Sequence, residues 1–265
     1  TQVRKDGPEG YGSVPVSMSR WTLARVDDAM KGFFGRVKRG RKAGFPRFKP
    51  MSRWRSFGFD EFKGVSLKGD RLVFAPFKAG LKVKMHRPLP DGASVKSCTF
   101  TKRGRHWYVS LVAAVPVAEV HALSGTMTAL DLGVAHLATT SDGEHIPNAR
   151  PRTRRERELK AAQRALARCR RGSKRRRKIR ERLERLQRDV RNARSTYLHQ
   201  VSADLTKRYA FIAVEDLRLK NMTRSARGDA AEPGANVRQK AGLNRALLDA
   251  GLARLVDYLT YKAER

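Results

Sequence analysis

Three regimes of hydrophobic and polar spacing follow one another along the chain. After an irregular lead-in over residues 1–16, a helix is predicted from Ser19, where Leu23, Val26, Met30, Phe33 and Val37 recur on one face, and it ends in Lys38-Arg-Gly-Arg-Lys42. Between residues 64 and 118 the period drops to two. Residues 65–67, 71–74, 81–86, 95–100 and 107–112 alternate as strands do, with hairpin turns at Lys68-Gly-Asp70 and Arg103-Gly-Arg105. Five short strands at this spacing predict a small β-barrel or sandwich. The third regime mixes both periods. Residues 127–133 and 211–217 are short aliphatic runs read as buried strands. The first leads through residues 136–140 and the Ser141-Asp-Gly143 turn to residues 144–146, a three-strand antiparallel meander. A helix is expected over roughly 154–170, a break at Gly172-Ser173 with Ser173 as cap, then a second helix. Its Ile179, Leu183, Leu186, Val190, Ala193 and Tyr197 step as a coiled-coil seam, which predicts a helical hairpin. Residues 218–242 read as a mobile basic loop, followed by a helix packing through Leu247, Leu252, Leu255, Val256 and Leu259.

Two acids stand inside the aliphatic runs, each two positions after an alanine: Ala129-Leu-Asp131 and Ala213-Val-Glu215. Side chains alternate along a strand, so each carboxylate shares a face with its alanine. On neighbouring strands the two acids would lie about 5 Å apart, which suits a shared divalent site because paired catalytic metals sit roughly 3.5–4 Å from each other. An acid at a strand end also commonly caps a helix or simply meets water. The matching phase of the two runs, with a very basic segment between them, favours a joint role as catalytic and metal-binding residues. Asp216 points to the face opposite Glu215, and Asp142 occupies a turn position where aspartate is expected for backbone reasons. Antiparallel strands, a helical region and a further strand also make the layout of ribonuclease-H-like nucleases, an α/β fold.

Charge sharpens the picture. The 265 residues hold 58 Lys+Arg against 25 Asp+Glu, a formal net charge of +33. Such an excess favours a polyanionic partner, nucleic acid first and an anionic membrane surface second. Aromatic and basic residues interleave at Phe45, Arg47, Phe48 and Lys49 and again at Arg53, Trp54 and Arg55, a pattern able to stack bases while holding phosphates. Phe57 and Phe59 are equally well read as core anchors. Lys82 and Lys84 would face outward from a strand, although strand faces often carry Lys to block edge pairing. The densest run is at the hairpin tip: Arg170, Arg171, Lys174, Arg175, Arg176, Arg177 and Lys178. Structural coiled coils mix signs to gain i,i+4 pairs, whereas phosphates would neutralise a one-sign face such as this. No apolar run approaches the ~20 residues that span a bilayer, and no signal peptide is seen, so a soluble cytoplasmic protein is expected. The two cysteines, Cys98 and Cys169, have no ligand-type spacing and support neither a disulfide framework nor a zinc site.

Gly44-Phe-Pro-Arg-Phe-Lys49, His86-Arg-Pro-Leu-Pro90, Ala129-Leu-Asp-Leu-Gly133, Ser141-Asp-Gly143, Val214-Glu-Asp-Leu217 and Tyr261-Lys-Ala-Glu264, in that order, resemble the TnpB family. These are RNA-guided nucleases of IS200/IS605 transposons, related to the miniature type V CRISPR effectors (Cas12). The resemblance implies a partial helical recognition segment over 1–61, a β-barrel wedge domain over 62–122 and a RuvC-like nuclease domain over 123–265 with its helical hairpin at 152–208. It implies Asp131 as the first catalytic aspartate and Glu215 as the catalytic glutamate, two Mg²⁺ ions, a guide RNA and a double-stranded DNA target. The first residue is Thr1, and the terminal amphipathic run reaches Arg265 without a Gly or Pro stop, as expected for a fragment lacking both ends. In the family a third catalytic Asp and a Cys-x-x-Cys zinc ribbon follow, so zinc is expected only beyond this segment.

The activity expected is metal-dependent hydrolysis of DNA phosphodiesters, with specificity delegated to guide pairing. The alternatives are a guide-directed DNA binder that no longer cuts, an inactive fragment, and a basic RNA-binding scaffold with no divalent metal at Asp131.

Overall fold

The computed structural model describes residues 14–75, 77–116, 125–228 and 233–264. Most of the expected lead-in, through residue 13, and the boundary expected at 122/123 lie outside the described residues. The chain divides into two compact units, Thr1–Ala118 and Glu119–Arg265.

In the first unit, helix α1 (Val16–Lys38) is followed by β1 (Ser56–Phe59), β2 (Val65–Lys68), β3 (Arg71–Phe74), β4 (Phe77–Lys82), β5 (Ser94–Arg103) and β6 (His106–Ala114). They form two three-stranded sheets, β1-β5-β6 and β2-β3-β4, rather than the closed barrel expected. The third predicted strand was placed too late. It runs as Phe77–Lys82, and the connection after it contains Pro88 and Pro90, which lack the N–H that would carry a ladder onward. Gly69 (φ 57°) and Gly104 (φ 62°) make the two predicted hairpin turns. Both sheets contribute to one core of Phe59, Val65, Leu72, Phe74, Cys98 and Phe100. Phe59 is fully buried and Phe57 stacks on Phe100 at 4.5 Å, which settles their role as core anchors on a strand that the polar context had hidden.

Helix α1 forms, but its predicted apolar face is not buried: Leu23, Val26 and Val37 are each more than half exposed. The helix docks instead through its first turns. Trp21 lies over Gly58, where an added Cβ would come within 2.7 Å of the indole nitrogen, and Arg20 pairs with Asp60 and Glu61 at 3.0 Å each.

The second unit is built on a four-stranded mixed sheet of order β10-β7-β8-β9, from β7 (Met127–Leu132), β8 (His136–Thr140), β9 (His145–Pro147) and β10 (Phe211–Val214). The meander β7-β8-β9 is antiparallel, and β10 joins β7 in parallel after the helical region. Between them run α2 (Pro151–Arg154), α3 (Glu156–Ala167) and α4 (Lys174–Arg208). After β10 come α5 (Leu219–Met222), α6 (Val237–Ala250) and α7 (Leu252–Ala263). The segment read as a loop thus contains α5, tied to α6 by bonds from Lys240 and Asn244 to the carbonyls of Met222 and Thr223. The final helix is two, broken at Gly251 (φ 76°), where a Cβ would lie 2.9 Å from Arg194.

One face of the sheet buries Leu130, Leu132, Leu137, Ala138 and Ile146 against Leu198, Leu205, Leu247, Leu252, Leu255 and Leu259 of α4, α6 and α7. The other face has no such cover in the described unit. β7 alternates strictly, with Thr128, Leu130 and Leu132 inward and Met127, Ala129 and Asp131 outward, so it is half-exposed rather than buried on both faces as predicted.

The helical hairpin forms as α3 against α4, with Ser173 capping α4 by accepting from the Arg176 N–H at 3.1 Å. Leu159 and Ala162 pack on Leu183, Leu186 and Val190. Beyond Val190 the predicted seam fails: Ala193 is exposed, while Leu198, Ser202 and Leu205 are buried. A heptad seam needs a partner helix along its length, and α3 ends after 12 residues. Past that point α4 meets the sheet and α7, and its buried stripe follows a straight helix.

Candidate active site and nucleic-acid interface

Parallel pairing of β10 with β7 sets Phe211 beside Met127, Ala213 beside Ala129 and Val214 beside Leu130. The pairing ends there: Glu215 is the first residue after β10, and Asp131 is the residue after Leu130 within β7. Both acids are exposed, as are Ala129 and Ala213 on the same face. The small alanines leave the approach to the carboxylates open. Met127 and Phe211, 70% and 60% exposed, stand at the start of the same two strands. Asp131 thus lies on the open face of β7, and Glu215, also exposed, follows the end of the strand beside it.

The other acids of this region are engaged elsewhere. Asp142 accepts a hydrogen bond from the Tyr209 hydroxyl at 2.8 Å, and this bond, with burial second, raises the tyrosine above its usual 10.0. Glu144 pairs with Arg208 at 2.7 Å and, as the largest cause, raises the guanidinium pKa. Both contacts pin the β8–β9 turn to the end of α4. Ser141 in that turn bonds Thr128, which places it near the start of β7 and away from Asp131. Asp216 follows Glu215 into a tight turn closed by the Leu217 N–H on the Glu215 carbonyl, and it too is exposed.

Among the described residues no group of three or more His, Cys, Asp and Glu side chains is arranged as a metal site. The pair Asp131 and Glu215 still fits a hard cation in kind. Mg²⁺ keeps several waters and takes one or two protein carboxylates, and this pair offers oxygen donors on a solvent-open face.

Three neighbours of Asp131 carry no signal in the sequence. Thr139 is the cross-strand partner of Asp131, and His145 is the partner of Thr139. The Thr139 hydroxyl and His145 Nδ1 lie 3.2 Å apart, and His136 stacks on His145 at 4.4 Å. Only the register reveals them, because no spacing in the sequence joins Asp131 to His145.

The basic candidates divide. Phe45, Phe48 and Trp54 are exposed, Phe48 at 91%, as are Arg47, Lys49, Arg53 and Arg55. The Lys49 ammonium lies over the Trp54 ring at 5.9 Å, while the indole N–H donates to the Lys49 carbonyl at 2.8 Å. Lys82 and Lys84 are exposed, and Lys82 is paired with Asp70 at 3.6 Å. Arg170, Arg171, Lys174, Arg175, Arg177 and Lys178 are exposed at the hairpin tip. Arg176 is not free for a ligand. It turns inward and donates to the carbonyls of Leu166 and Cys169 at 2.7 and 3.1 Å, closing the end of α3. No described helix is long and apolar enough to cross a membrane.

Comparison with known proteins agrees with this arrangement. The OrfB_IS605 family, described as "Probable transposase", matches residues 110–226, a span holding both acid-bearing strands and the whole hairpin. The chain is 33% identical over 262 residues to "Putative RNA-guided DNA endonuclease InsQ" of Escherichia coli (strain K12), covering 99% of this chain and 61% of that protein. It is 26% identical over 251 residues to a "Putative RNA-guided DNA endonuclease" of Streptomyces pristinaespiralis, covering 94% of this chain and 56% of that one. A relative from Mycobacterium tuberculosis (strain H37Rv), with the same description, is 36% identical over 146 residues, 53% of this chain and 30% of its own length. The chain therefore spans about 60% of the longest-matching relatives. The family match is thus laid over both acids and the basic hairpin between them: residues 110–226 match the IS605 OrfB family of transposon proteins, and nearly the whole chain is similar to proteins described as putative RNA-guided DNA endonucleases.

Proposed function

We propose that this chain carries the cutting site of an RNA-guided DNA endonuclease of the RuvC type, with Asp131 and Glu215 as its metal-holding acids. The observation that supports the reading is the parallel pairing of β10 with β7, with Asp131 exposed on β7 and Glu215 exposed directly after β10. The sheet order β10-β7-β8-β9, with a helical hairpin between the acid-bearing strands, supports a ribonuclease-H-like assignment. The descriptions of the relatives support guide RNA and target DNA as partners.

In this mechanism Asp131 and Glu215 hold divalent metal, Mg²⁺ being the fitting ion, through carboxylate oxygens. Bound there, the metal would supply a water made nucleophilic near neutral pH and charge stabilisation for the leaving oxygen. The chain's own part is to fix both acids on a rigid sheet and to leave the face above them open to a phosphodiester strand. The exposed tip residues Arg170, Arg171, Lys174, Arg175, Arg177 and Lys178 neutralise backbone charge, while guide pairing reads sequence. Phe45, Phe48 and Trp54 offer stacking faces beside Arg47, Lys49, Arg53 and Arg55. We assign residues 1–61 to recognition, the two three-stranded sheets to the wedge role, and residues 123–265 to cleavage.

The test is Asp131→Ala and Glu215→Ala in the full-length protein loaded with its RNA. Each is expected to lower Mg²⁺-dependent cleavage by about a thousandfold or more, since either loss would remove a carboxylate that would hold the metal, while DNA binding persists. Cleavage unchanged in either variant would refute the assignment. Guide-dependent binding without cleavage in the unaltered protein would make it a DNA-binding repressor instead.

A further inference from the structure

Asp131 does not stand alone on its face. Register sets Asp131, Thr139 and His145 in one row on three successive strands, with Glu215 following the end of the neighbouring β10. Strand spacing puts His145 about 10 Å from Asp131 at the backbone, on the scale of two to three nucleotides of one strand.

His136 reaches this row through a fault in the ladder. The β8–β9 register shifts between His136 and Ala138, which pair with Pro147 and Ile146. The extra residue reverses the alternation. Leu137 and Ala138 both turn into the core, at 1% and 0% exposure, and His136 emerges on the side of Thr139, where its ring stacks on His145. Bulges re-aim side chains in this way at sheet edges beside functional sites. In an unbroken ladder His136 would point toward the helices.

We propose that His145 and His136 grip the phosphate backbone of the DNA strand being cut, next to the bond held over Asp131 and Glu215, and that Thr139 is the positioning residue for His145. The proposal rests on the nuclease reading above. When the Thr139 hydroxyl donates to Nδ1, the imidazole keeps its proton on Nε2 and presents an N–H donor there. Stacking on His136 holds the ring plane. The face then offers carboxylates for the cation and imidazole N–H donors for the flanking phosphates. That division matters, because a phosphate brought near two carboxylates needs donors beyond them to fix its path.

Two measurements test it. Single-turnover cleavage is followed against DNA concentration in the RNA-loaded full-length protein carrying His145→Ala, Thr139→Val, Thr139→Ser or Asp131→Ala. Half-saturation for His145→Ala and Thr139→Val is expected to rise about tenfold, the loss of one charge-assisted hydrogen bond, with a smaller change in the saturated rate. Thr139→Ser keeps the hydroxyl and restores the wild-type value. If Asp131→Ala is dead while the His145 and Thr139 variants match wild type, the grip is refuted and the nuclease reading stands. Full activity in Asp131→Ala overturns the nuclease reading instead. In the second measurement, ring resonances of His136 and His145 in this chain are titrated with a short oligothymidylate in EDTA. Saturable shifts of both rings support the contact without any metal or turnover. Rings that stay still while arginine side-chain signals of α4 move would overturn it.

Discussion

Removing the carboxylate of Asp249 should loosen the root of the helical hairpin. Asp249 is 3% exposed near the end of α6, and its two oxygens accept four hydrogen bonds. The backbone N–H groups of Arg152 and Thr153 donate at 3.0 Å each, the Thr153 hydroxyl at 3.2 Å, and Arg194 of α4 at 3.0 Å. The Arg194 Nε also donates to the Asp249 carbonyl at 2.8 Å. One side chain thus caps α2, where the chain leaves the sheet, and fastens it to α4. In Asp249→Ala two helix-start N–H groups lose their acceptor, and Arg194, 20% exposed, keeps a charge with no counter-ion there. Breaking a buried pair from one side costs about 3–5 kcal/mol, and the residual exposure of Arg194 argues for the lower end, about 3 kcal/mol. Against a total of about 5–15 kcal/mol that is a large share, equivalent to a fall in melting temperature of roughly 6–12 °C. Far-UV circular dichroism, dominated by the 35-residue α4, reports it. Asp249→Asn keeps one acceptor oxygen and should fall between. In a double-mutant cycle with Arg194→Ala, the pair should couple by about 1–3 kcal/mol. A shift below about 2 °C for Asp249→Ala, or strictly additive losses in the cycle, would refute the clamp.

Three further outcomes are expected. Changing Arg170, Arg171, Lys174 and Arg175 together to Gln should reduce the salt slope of duplex DNA binding by about 3.5, near 0.9 per phosphate contact, whereas Arg176→Gln should leave the slope alone and lower the melting temperature; fluorescence anisotropy over a salt series decides. Cys98 is buried and its thiol is pushed up to about 11 by desolvation, so iodoacetamide near neutral pH should label half-exposed Cys169 and spare Cys98 until the protein unfolds, as read by peptide mass spectrometry. Hydrogen bonds from Arg20, then Lys63, hold Glu61 below its ordinary 4.5. Its contribution to anchoring α1 is therefore present above 4.5 and fades as pH falls through the lower folded value. Carboxyl NMR should show Glu61 titrating below 4.5 and moving back up in Arg20→Ala; no movement would exclude the pairing.

Local pattern alone carried much of this protein. The meander, the Ser173 cap and the Gly69 and Gly104 turns follow from rules acting over a few residues, and sequence can express those directly. The exposed face of Asp131 was legible for the same reason: Ala129, two positions before it, marks that face of β7. Charge density marked the hairpin tip as the most basic part of the chain.

Only the tertiary structure decided the rest, because it depends on which elements meet. Phe57 and Phe59 became core only once β1 paired with β5. The seam of α4 ended where α3 ended, so Ala193 turned outward and Leu198 inward. Arg176, one of seven tip cations in the sequence, turned inward to close the end of α3. Asp249, unremarkable along the chain, became a clamp between residues 55 and 97 positions away. Thr139, His145 and His136 joined the acids through strand pairing and a single extra residue in β8. Sequence neighbours set which face a side chain takes within its own strand; the sheet alone sets which strands lie side by side, and the site is made at that second level.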